Sequence, residues 1–349
     1  MDNPGRSGPD GRGPEARGIL AELVAAGFLP HAEGVVLTPL SGGVSSDIFR
    51  LETPEGRAFA VKRSIPRLRV AVPWFAAGAR AANEIAWLEA ARAVDPRLAP
   101  EVLFAAPGGR LFVMAYLEPA THPLWKSELA AGRVDLAFAA AVGTALAHLH
   151  AATAGSADLA ARFGDRSYFH DLRVEPFFLY PAKAHPRVAD RLGALAADLE
   201  TRAQTLVHGD VSPKNILKGP GGPVFLDAET AVFGDPAFDL AFCLSHLLLK
   251  AVWVRRAREA MAQAFDAFAA AYGAGVAWEP REALLTRTAP LTAALLLARI
   301  DGRSPVPYLE APADKGLVRD LALEFLARTD LSLSELARDW RAAVSAAPG

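Results

Sequence analysis

Cysteine is nearly absent from this 349-residue chain, and neither sign of charge is in excess. The single cysteine, Cys243, excludes an internal disulfide and a metal site built from several thiolates. Its apolar neighbours favour a place in the core over a reactive thiol. Lysine and arginine number 37 against 39 aspartate and glutamate residues, so the net charge is −2. We therefore expect neither nucleic acid nor an anionic membrane surface as the main partner.

Long hydrophobic runs are missing as well, since the apolar stretch from Ala289 to Ala298 ends at Arg299. A membrane span needs roughly 18 or more apolar residues, and we expect none. The segment 1–17 is rich in glycine, proline and charge and lacks the apolar stretch of a secretory signal. We therefore expect a flexible leader over 1–17 and a soluble, cytoplasmic protein.

Hydrophobic residues make up 52% of the chain, enough for one large domain or two packed lobes. After a short amphipathic helix that begins near residue 18, short apolar runs alternate with turns that contain glycine or proline, which predicts antiparallel strands. An Ala-rich segment, 78–94, has helical spacing and ends before Pro96. The five predicted strands are 35–37, 47–51, 58–62, 102–105 and 111–116.

Beyond Pro119 the pattern changes to long helices rich in alanine and leucine, such as 134–152 and 251–272. One hairpin-like stretch, 206–226, interrupts them. The sequence therefore predicts an α+β fold with two lobes. These are a small N-terminal antiparallel sheet lobe, 18–117, and a larger, mostly helical C-terminal lobe, 118–349.

Three oxygen-bearing side chains stand at fixed spacings in and after this hairpin. Asp210 and Asn215 are five residues apart, and Asp227 follows 12 residues after Asn215. A short hairpin of that length places the three side chains next to one another. They offer a group that accepts or orients a proton and hard oxygen ligands for Mg²⁺. The arrangement favours phosphoryl transfer.

The run from His208-Gly209-Asp210 to Asn215 is similar to the catalytic loop of the aminoglycoside phosphotransferase and choline kinase group, small-molecule kinases of the protein-kinase-like fold. The resemblance implies that ATP and Mg²⁺ are used and that Asp210 is the catalytic base. It also implies two metal ligands and a further candidate ligand: Asn215, Asp227 and Glu229.

Gly209 stands where protein kinases carry the arginine of H-R-D-x-x-x-x-N. Such arginines stabilise phosphates of an activation loop, and no A-P-E sequence follows Asp227. A protein substrate is therefore disfavoured. The segment 233–241 resembles instead the small-molecule kinases, in which the aspartate at the position of Asp239 supports the catalytic loop. His208 is expected to brace that loop rather than to transfer protons.

A polar turn lies between the first two predicted strands, where backbone amides and hydroxyl groups can approach a phosphate. Lys62, 19 residues after Gly43, ends the run Ala60-Val61-Lys62, which resembles the V-A-I-K strand of kinases. An ordinary hairpin turn and a solvated lysine are the alternatives. The expected nucleotide contacts are Ser41, Gly42, Gly43, Ser45 and Lys62.

A helix carboxylate should orient Lys62, and either Glu84 or Glu89 can supply it. A five-residue separation turns a helix by about 140°, so only one of them can face Lys62. We favour Glu84 because an apolar Trp-Leu pair follows it, as in the family.

Met114 and Tyr116 lie where the sheet lobe ends. This is the position of the adenine-binding hinge in kinase-like folds, and a plain core role is the alternative.

Two segments are candidates for the acceptor site, a predicted loop at 168–178 and the end of an apolar helix at 298–305. If their arginines reach the pocket, paired N–H donors favour an acceptor with a carboxylate, phosphate or sulfonate over a polycationic aminoglycoside. Ordinary surface charges are the alternative. The candidate acceptor residues are Asp171, Arg173, Glu175, Arg299 and Arg303.

The main hypothesis is an enzyme that moves the γ-phosphate of ATP to a hydroxyl of a small molecule. The alternatives are a catalytically silent nucleotide-binding module of the same fold and an aminoglycoside-modifying resistance kinase. A silent module would be expected to lack one of Lys62, Asp210, Asn215 and Asp227, and all four are present. The motifs specify the reaction class and leave the acceptor and the oligomeric state open.

Overall fold

The computed structural model describes residues 13–40, 46–65 and 80–346. Contacts between residues divide it into two units. The first runs to Ala86 and includes Pro100–Leu117, and the second holds Trp87–Ala99 and the chain from Glu118 onward. The boundary at residue 117 is the one that the sequence predicts. The grouping of residues 87–99 with the helical part is a difference from that prediction.

The first unit contains a five-stranded antiparallel sheet in the spatial order β1-β2-β3-β5-β4. All five strands fall at the predicted places. Their bounds are β1 Val36–Pro39, β2 Ser46–Glu52, β3 Ala58–Ser64, β4 Val102–Ala105 and β5 Leu111–Ala115. The sheet therefore confirms the predicted architecture of this part of the chain.

Helix α1, Pro14–Ala25, covers this sheet and begins earlier than the predicted start near residue 18. The earlier start has a physical reason, because Ala16 belongs to the buried core of the unit together with Ile19 and Leu23. Proline suits the first turn of a helix, where an amide hydrogen has no partner to lose. The prediction of an unstructured leader through residue 17 is therefore wrong for its last four residues.

Helix α2, Arg80–Val94, follows β3 in the chain and spans the division between the two units. Trp87 explains why its second half groups with the helical unit. The Trp87 ring is fully buried and meets the ring of His208 edge-on, with centroids 4.6 Å apart. The Phe225 ring also meets the Trp87 indole edge-on, with ring centroids 6.3 Å apart.

The second unit is mostly helical. Its helices, including one π-helix, are α3 Trp125–Ala130, α4 Leu136–Thr153, α5 Ala157–Arg162, α6 Ser167–Phe169, the π-helix His170–Leu179, α7 Tyr180–Ala184, α8 Ala189–Thr201, α9 Ala237–Trp253, α10 Arg258–Ala274, α11 Arg281–Asp301, α12 Pro312–Ala327 and α13 Leu333–Ala346. Short 3₁₀ turns lie at Pro186–Val188, Pro213–Asn215 and Arg255–Ala257. Two small antiparallel pairs complete the unit: β6 Thr205–Val207 with β9 Val232–Gly234, and β7 Ile216–Gly219 with β8 Gly222–Phe225.

Two parts of this unit differ from the sequence prediction. The segment 168–178 is helical rather than a loop, because its apolar residues are buried on the inner face of the π-helix while Asp171 is exposed. Pro176 has no amide hydrogen to donate, which breaks the regular α-helical bonding pattern there. The predicted helix 251–272 is two helices, α9 and α10, bent by 118° around Val254.

Two described helices, α4 and α11, have the length and composition of a membrane span, which the sequence prediction did not foresee. The bent pair of α9 and α10 would add a third if it counted as one span. The apolar windows of α4 and α11 are 50% and 72% buried inside the protein. Burial against neighbouring helices explains their hydrophobic composition: α4 packs on α10, and α11 on α9 and α12.

Cys243 lies on α9 and is fully buried, as its apolar neighbours predicted. Burial raises the pKa of the Cys243 thiol, and the Asp239 carboxylate adds to the shift. The thiol therefore stays protonated and behaves as a small core side chain.

Gly143 sets how closely α4 and α10 approach. A Cβ atom at this position would overlap the backbone carbonyl of Phe268 on α10. We expect Gly143→Ala to lower the free energy of unfolding by about 1–3 kcal/mol, as overpacking does. Gly316→Ala on α12 is the matched control, because its Cβ would meet nothing within 4 Å, and it should stabilise by about 0.5–1 kcal/mol. Urea unfolding checks both, and equal effects would contradict the packing argument.

Candidate active site

Asp239, in the first turn of α9, holds the loop that follows β6. Its carboxylate is fully buried and accepts the backbone N–H of His208 at 2.7 Å and that of Gly209 at 2.8 Å. A carboxylate is favoured at a helix N-terminus by the helix dipole, and hydrogen bonds to a charged acceptor are the strong kind. The predicted supporting residue thus contacts the loop directly.

Two residues behind Asp239 were not found by sequence reasoning. His150 on α4 lies with Nε2 3.4 Å from Asp239 Oδ2, and its Nδ1 is 2.7 Å from the hydroxyl of Tyr272 on α10. Burial raises the pKa of Tyr272, so the hydroxyl stays protonated. The three side chains form a buried polar row between α4, α9 and α10, and each lone residue is unremarkable in sequence.

His208 links the loop to the strand end that carries Asp227. Its Nδ1 accepts the backbone N–H of Asp210 at 3.1 Å, and its Nε2 lies 3.0 Å from the carbonyl oxygen of Leu226. Burial lowers the pKa of His208 despite the three carboxylates near it. The ring is therefore neutral, and it donates from Nε2 to Leu226.

Gly209 occupies a position that no larger residue fits. Its φ of +79° lies in the left-handed region, and a Cβ would stand 2.5 Å from Oγ1 and 2.7 Å from the carbonyl oxygen of Thr230. The arginine that protein kinases carry in this place would meet both obstacles. Glycine is therefore the residue that this position of the loop requires.

Asp210 is buried between two cations. Its Oδ2 lies 3.0 Å from Arg173 of the π-helix and 3.0 Å from Lys214 of its own loop. Burial raises the pKa of this carboxyl, but Lys214 and Arg173 outweigh burial, and the net shift is downward. The group is therefore a carboxylate at neutral pH. Arg173, expected in the acceptor pocket, instead pairs with Asp210 and also donates through Nε to the carbonyl of Gly209.

Asn215 and Asp227 stand beside this carboxylate. The amide nitrogen of Asn215 donates to the backbone carbonyl of Asp210 at 3.1 Å, so its amide oxygen remains for another partner. The backbone of Asn215 accepts from Leu226, which fixes the approach of the two segments. Asp227 is the only non-glycine residue with a positive φ, 67°, among those described. Such strained backbone clusters at functional sites.

The donor set fits a magnesium ion that also binds nucleotide phosphates. The described ranges contain no group of three His, Cys, Asp or Glu side chains that could hold a metal alone. Magnesium in kinases needs only one or two protein ligands in addition to phosphate oxygens, and Asn215 and Asp227 provide two oxygens. Glu229 is buried nearby in sequence, and its role stays a prediction.

In the first unit Lys62 and Glu84 form a buried ion pair. The Lys62 ammonium lies 2.8 Å from Oε1 and 2.6 Å from Oε2 of Glu84, and both side chains are 2% exposed. Lys62 stands opposite Ile48 on β2 and Phe112 on β5. Glu89 pairs instead with Arg162 in a half-exposed contact at 2.7 Å. The structure therefore selects Glu84 of the two candidates.

The remaining predicted nucleotide contacts are only partly described. Ser41, Gly42, Gly43 and Ser45 lie outside the described residues. Met114 is buried on β5 opposite Ala60, and Tyr116 follows the strand with Arg50 over its ring at 5.2 Å. Their expected role as a hinge stays a prediction.

The predicted acceptor residues differ in their exposure and in their partners. Arg303 pairs with Glu175 at 3.1 Å, so these two charges compensate each other. Asp171 is exposed on the π-helix. Arg299, in the last turn of α11, is half-buried and donates to the backbone carbonyl of Ser304. Burial lowers the pKa of Arg299, and no acidic side chain pairs with it among the described residues.

Arg299 lies close enough to His246 and Tyr308 to interact with them electrostatically, and Lys250 lies over the Tyr308 ring. We call these four residues the cation cluster: His246, Lys250, Arg299 and Tyr308. His246 and Lys250 are one turn apart on α9, and the Lys250 ammonium lies 4.6 Å from the Tyr308 ring centroid. Burial lowers the pKa of Lys250 to about 8, with Lys126 as the second cause. The sequence signal was a histidine and a lysine four residues apart inside an apolar helix.

Comparison with known proteins identifies the class. Residues 36–285 match the model of the phosphotransferase enzyme family, APH. The fold is protein-kinase-like and the protein is a small-molecule kinase, as the resemblance of the catalytic loop implied. The match covers well over half of the chain, and the protein belongs to the phosphotransferase enzyme family.

Solved structures show the same fold at low sequence identity. Amicoumacin kinase, in complex with AMP-PNP, Ca²⁺ and Ami, has a TM-score of 0.60 and 13% identity over 93% of this chain and 98% of its own. The choline kinase LicA from Streptococcus pneumoniae has a TM-score of 0.54 and 15% identity, covering 90% and 99%. An ethanolamine kinase from Plasmodium vivax has a TM-score of 0.53 and 10% identity, covering 95% and 88%. No protein with a curated description matches the chain.

Lys250 provides a test of the cation cluster. We expect Lys250→Met to raise the free energy of unfolding at pH 7 by roughly 1–3 kcal/mol, because Lys250 is buried and no acid in the described part of the chain pairs with it. The pKa of Lys250 falls from 10.5 to about 8 on folding. The unfolded chain therefore binds more protons between these values, wild-type stability rises with pH there, and the advantage of the variant shrinks.

Urea unfolding of both proteins at several pH values measures this difference. Lys183→Met is the control, because the Lys183 side chain is 73% exposed and should matter little. A Lys250→Met protein that is less stable than wild type at pH 7 would contradict the assignment of an uncompensated charge.

Proposed function

We propose that this protein transfers the γ-phosphoryl group of ATP to a hydroxyl group of a small molecule with the help of Mg²⁺. One observation carries the proposal: an ionised, buried Asp210 is fixed next to Asn215 and Asp227 by hydrogen bonds between their segments. The AMP-PNP in the amicoumacin kinase structure supports a nucleoside triphosphate as donor.

Asp210 acts in this proposal on the acceptor hydroxyl. Its carboxylate accepts the hydrogen bond of the hydroxyl and orients the oxygen toward the γ-phosphorus, where a bond forms as the bond to the β,γ-bridging oxygen breaks. The electron pair leaves with ADP, and the hydroxyl proton passes through Asp210 to solvent. Because its pKa is lowered, Asp210 works more by orientation than by early proton removal.

Arg173 and Lys214 both form ion pairs with the same oxygen of Asp210, Oδ2. Their pairing keeps the carboxylate in one orientation and leaves Oδ1 for the acceptor. Lys214 is 41% exposed along its side chain, so it is also placed to balance charge that develops on the transferred group.

Asn215 and Asp227 would hold the metal, with Glu229 as a further candidate. Mg²⁺ supplies positive charge to the phosphate oxygens when bound. The left-handed backbone of Asp227 and the bond from Leu226 to Asn215 aim these two side chains from adjacent segments. Fixed side-chain positions lower the cost of assembling the site.

Lys62, held by Glu84, would bind the phosphates of the donor, since a buried and oriented ammonium is a strong phosphate partner. The turn with Ser41, Gly42, Gly43 and Ser45 is proposed to cover those phosphates. Met114 and Tyr116 are proposed to hold the adenine. A catalytically silent module is disfavoured, because the Lys62–Glu84 pair is formed and the loop after β6 carries both Asp210 and Asn215.

The Asp210→Asn variant tests the reaction assignment. We expect turnover to fall by about 10²–10⁴, with nucleotide affinity unchanged within a few-fold, because Asn cannot accept a proton yet fills the same space. The measurement is ADP release with ATP, Mg²⁺ and a panel of hydroxyl compounds. Asp330→Asn, an exposed substitution, is the control. Full activity of Asp210→Asn would remove this residue from the mechanism.

Asp227→Asn tests the metal assignment separately. We expect the Mg²⁺ concentration for half-maximal activity to rise at least tenfold, since one anionic ligand is lost. The protein should remain folded, because asparagine tolerates the left-handed backbone that Asp227 adopts. A metal titration of ADP release compares the variant with wild type. An unchanged Mg²⁺ requirement would show that another residue holds the ion.

A further inference from the structure

The cation cluster of His246, Lys250, Arg299 and Tyr308 is short of negative charge. Lys250 is 1% exposed, and the described residues include no acidic side chain paired with it or with Arg299. Lys250 instead sits over two aromatic rings, 5.1 Å from the Trp253 centroid and 4.6 Å from that of Tyr308. Buried cations without a counter-ion are costly. Burial accordingly lowers the pKa of Lys250 and of Arg299, which disfavours their charged forms.

Neighbouring cations in the same unit do have acidic partners. Arg173 pairs with Asp210 at 3.0 Å, and Arg303 pairs with Glu175 at 3.1 Å. The charge shortage is therefore local to Lys250 and Arg299. It is not a general excess of arginine around the site.

Unused hydrogen-bonding atoms lie in the same cluster. Among the residues that the structure describes, three buried atoms of the cluster have no hydrogen-bond partner: Nε of Arg299, Nε2 of His246 and the hydroxyl of Tyr308. A bound ligand is one way in which a native protein satisfies such atoms. Burial and the nearby cations Arg299 and Lys250 lower the pKa of His246, which keeps its ring neutral. Burial raises the pKa of Tyr308, so its hydroxyl keeps a proton to donate.

The cluster lies next to Asp210 through one shared ring. Phe177 of the π-helix has the guanidinium of Arg299 at 5.6 Å from its centroid and that of Arg173 at 5.7 Å. Arg173 in turn binds Asp210. Arg299 therefore lies near Arg173, and the Asp210 carboxylate is close enough to act on Arg299 electrostatically.

We propose that the cation cluster is the acceptor-recognition subsite and that it binds a carboxylate or phosphate group of the acceptor through Arg299 and Lys250. His246 and Tyr308 supply the further hydrogen bonds. This inference rests on the proposed kinase function and narrows it to anionic hydroxyl compounds. A cationic acceptor such as an amino alcohol or an aminoglycoside would face Arg299 and Lys250 without compensation.

Binding of small probes without nucleotide tests the subsite directly. Glycerate, glycerol 3-phosphate, glycerol and ethanolamine share a short hydroxyl-bearing skeleton and differ in the charged group. Calorimetric titration of the full chain should show that glycerate or glycerol 3-phosphate binds, and the preferred one tells a carboxylate site from a phosphate site. Glycerol and ethanolamine should bind at least tenfold more weakly. Failure of both anionic probes to bind, or preference for ethanolamine, would overturn the proposal.

Two variants separate recognition from folding. Lys250→Met should bind the anionic probe at least tenfold more weakly while its melting temperature exceeds that of wild type, a combination that a purely structural lysine would not give. Arg299→Lys keeps the charge and should retain most of the affinity. The control Lys183→Met should bind like wild type. Wild-type affinity in Lys250→Met would contradict the subsite.

Turnover distinguishes the failure of this inference from the failure of the proposed function. If ATP is consumed with neutral or cationic acceptors and the KM does not respond to Lys250→Met, the kinase assignment stands and the anionic subsite is wrong. If the anionic probe binds in a Lys250-dependent way but no acceptor is phosphorylated, the subsite stands as an anion site and the kinase assignment fails.

Discussion

The two hydrogen bonds from the backbone of His208 and Gly209 to the buried carboxylate of Asp239 are the constraint on which the active site depends. They fix the start of the catalytic loop to the first turn of α9. From that point His208 reaches Leu226 and so ties the loop to the strand end before Asp227. Each bond to a charged acceptor is worth about 1.5–3 kcal/mol, enough to hold a loop in one conformation.

Charge is arranged differently at Asp210 and in the cation cluster. Arg173 and Lys214 compensate the Asp210 carboxylate and lower its pKa. Arg299 and Lys250 have no paired acid among the described residues, and burial lowers the pKa of both. Destabilising groups that persist in a folded protein are characteristic of binding sites, where a ligand supplies what the fold lacks.

Local patterns predicted the sheet, because it depends on strand order and on residues close in sequence. The catalytic loop and the choice of Glu84 over Glu89 came from the resemblance to the family. The pairing of Arg173 with Asp210 was not predictable in this way, since it depends on how the π-helix packs against the loop. The mixture of aromatic and charged residues in 168–178 suggested a loop, although its buried residues follow a helix. The apolar composition of α4 and α11 reflects burial between helices. The sequence pattern that could have indicated His246 and Lys250 is two polar residues one turn apart in an apolar helix.

Asp239→Asn tests the central claim most directly, because asparagine keeps the shape but offers only one accepting oxygen to the two amides. Hydrogen exchange of the His208 and Gly209 amides, measured together with turnover, should show faster exchange and a loss of activity of at least tenfold. Global unfolding should remain cooperative and nucleotide should still bind. If exchange at both amides and turnover equal those of the wild type, the Asp239 bonds do not hold the active site together.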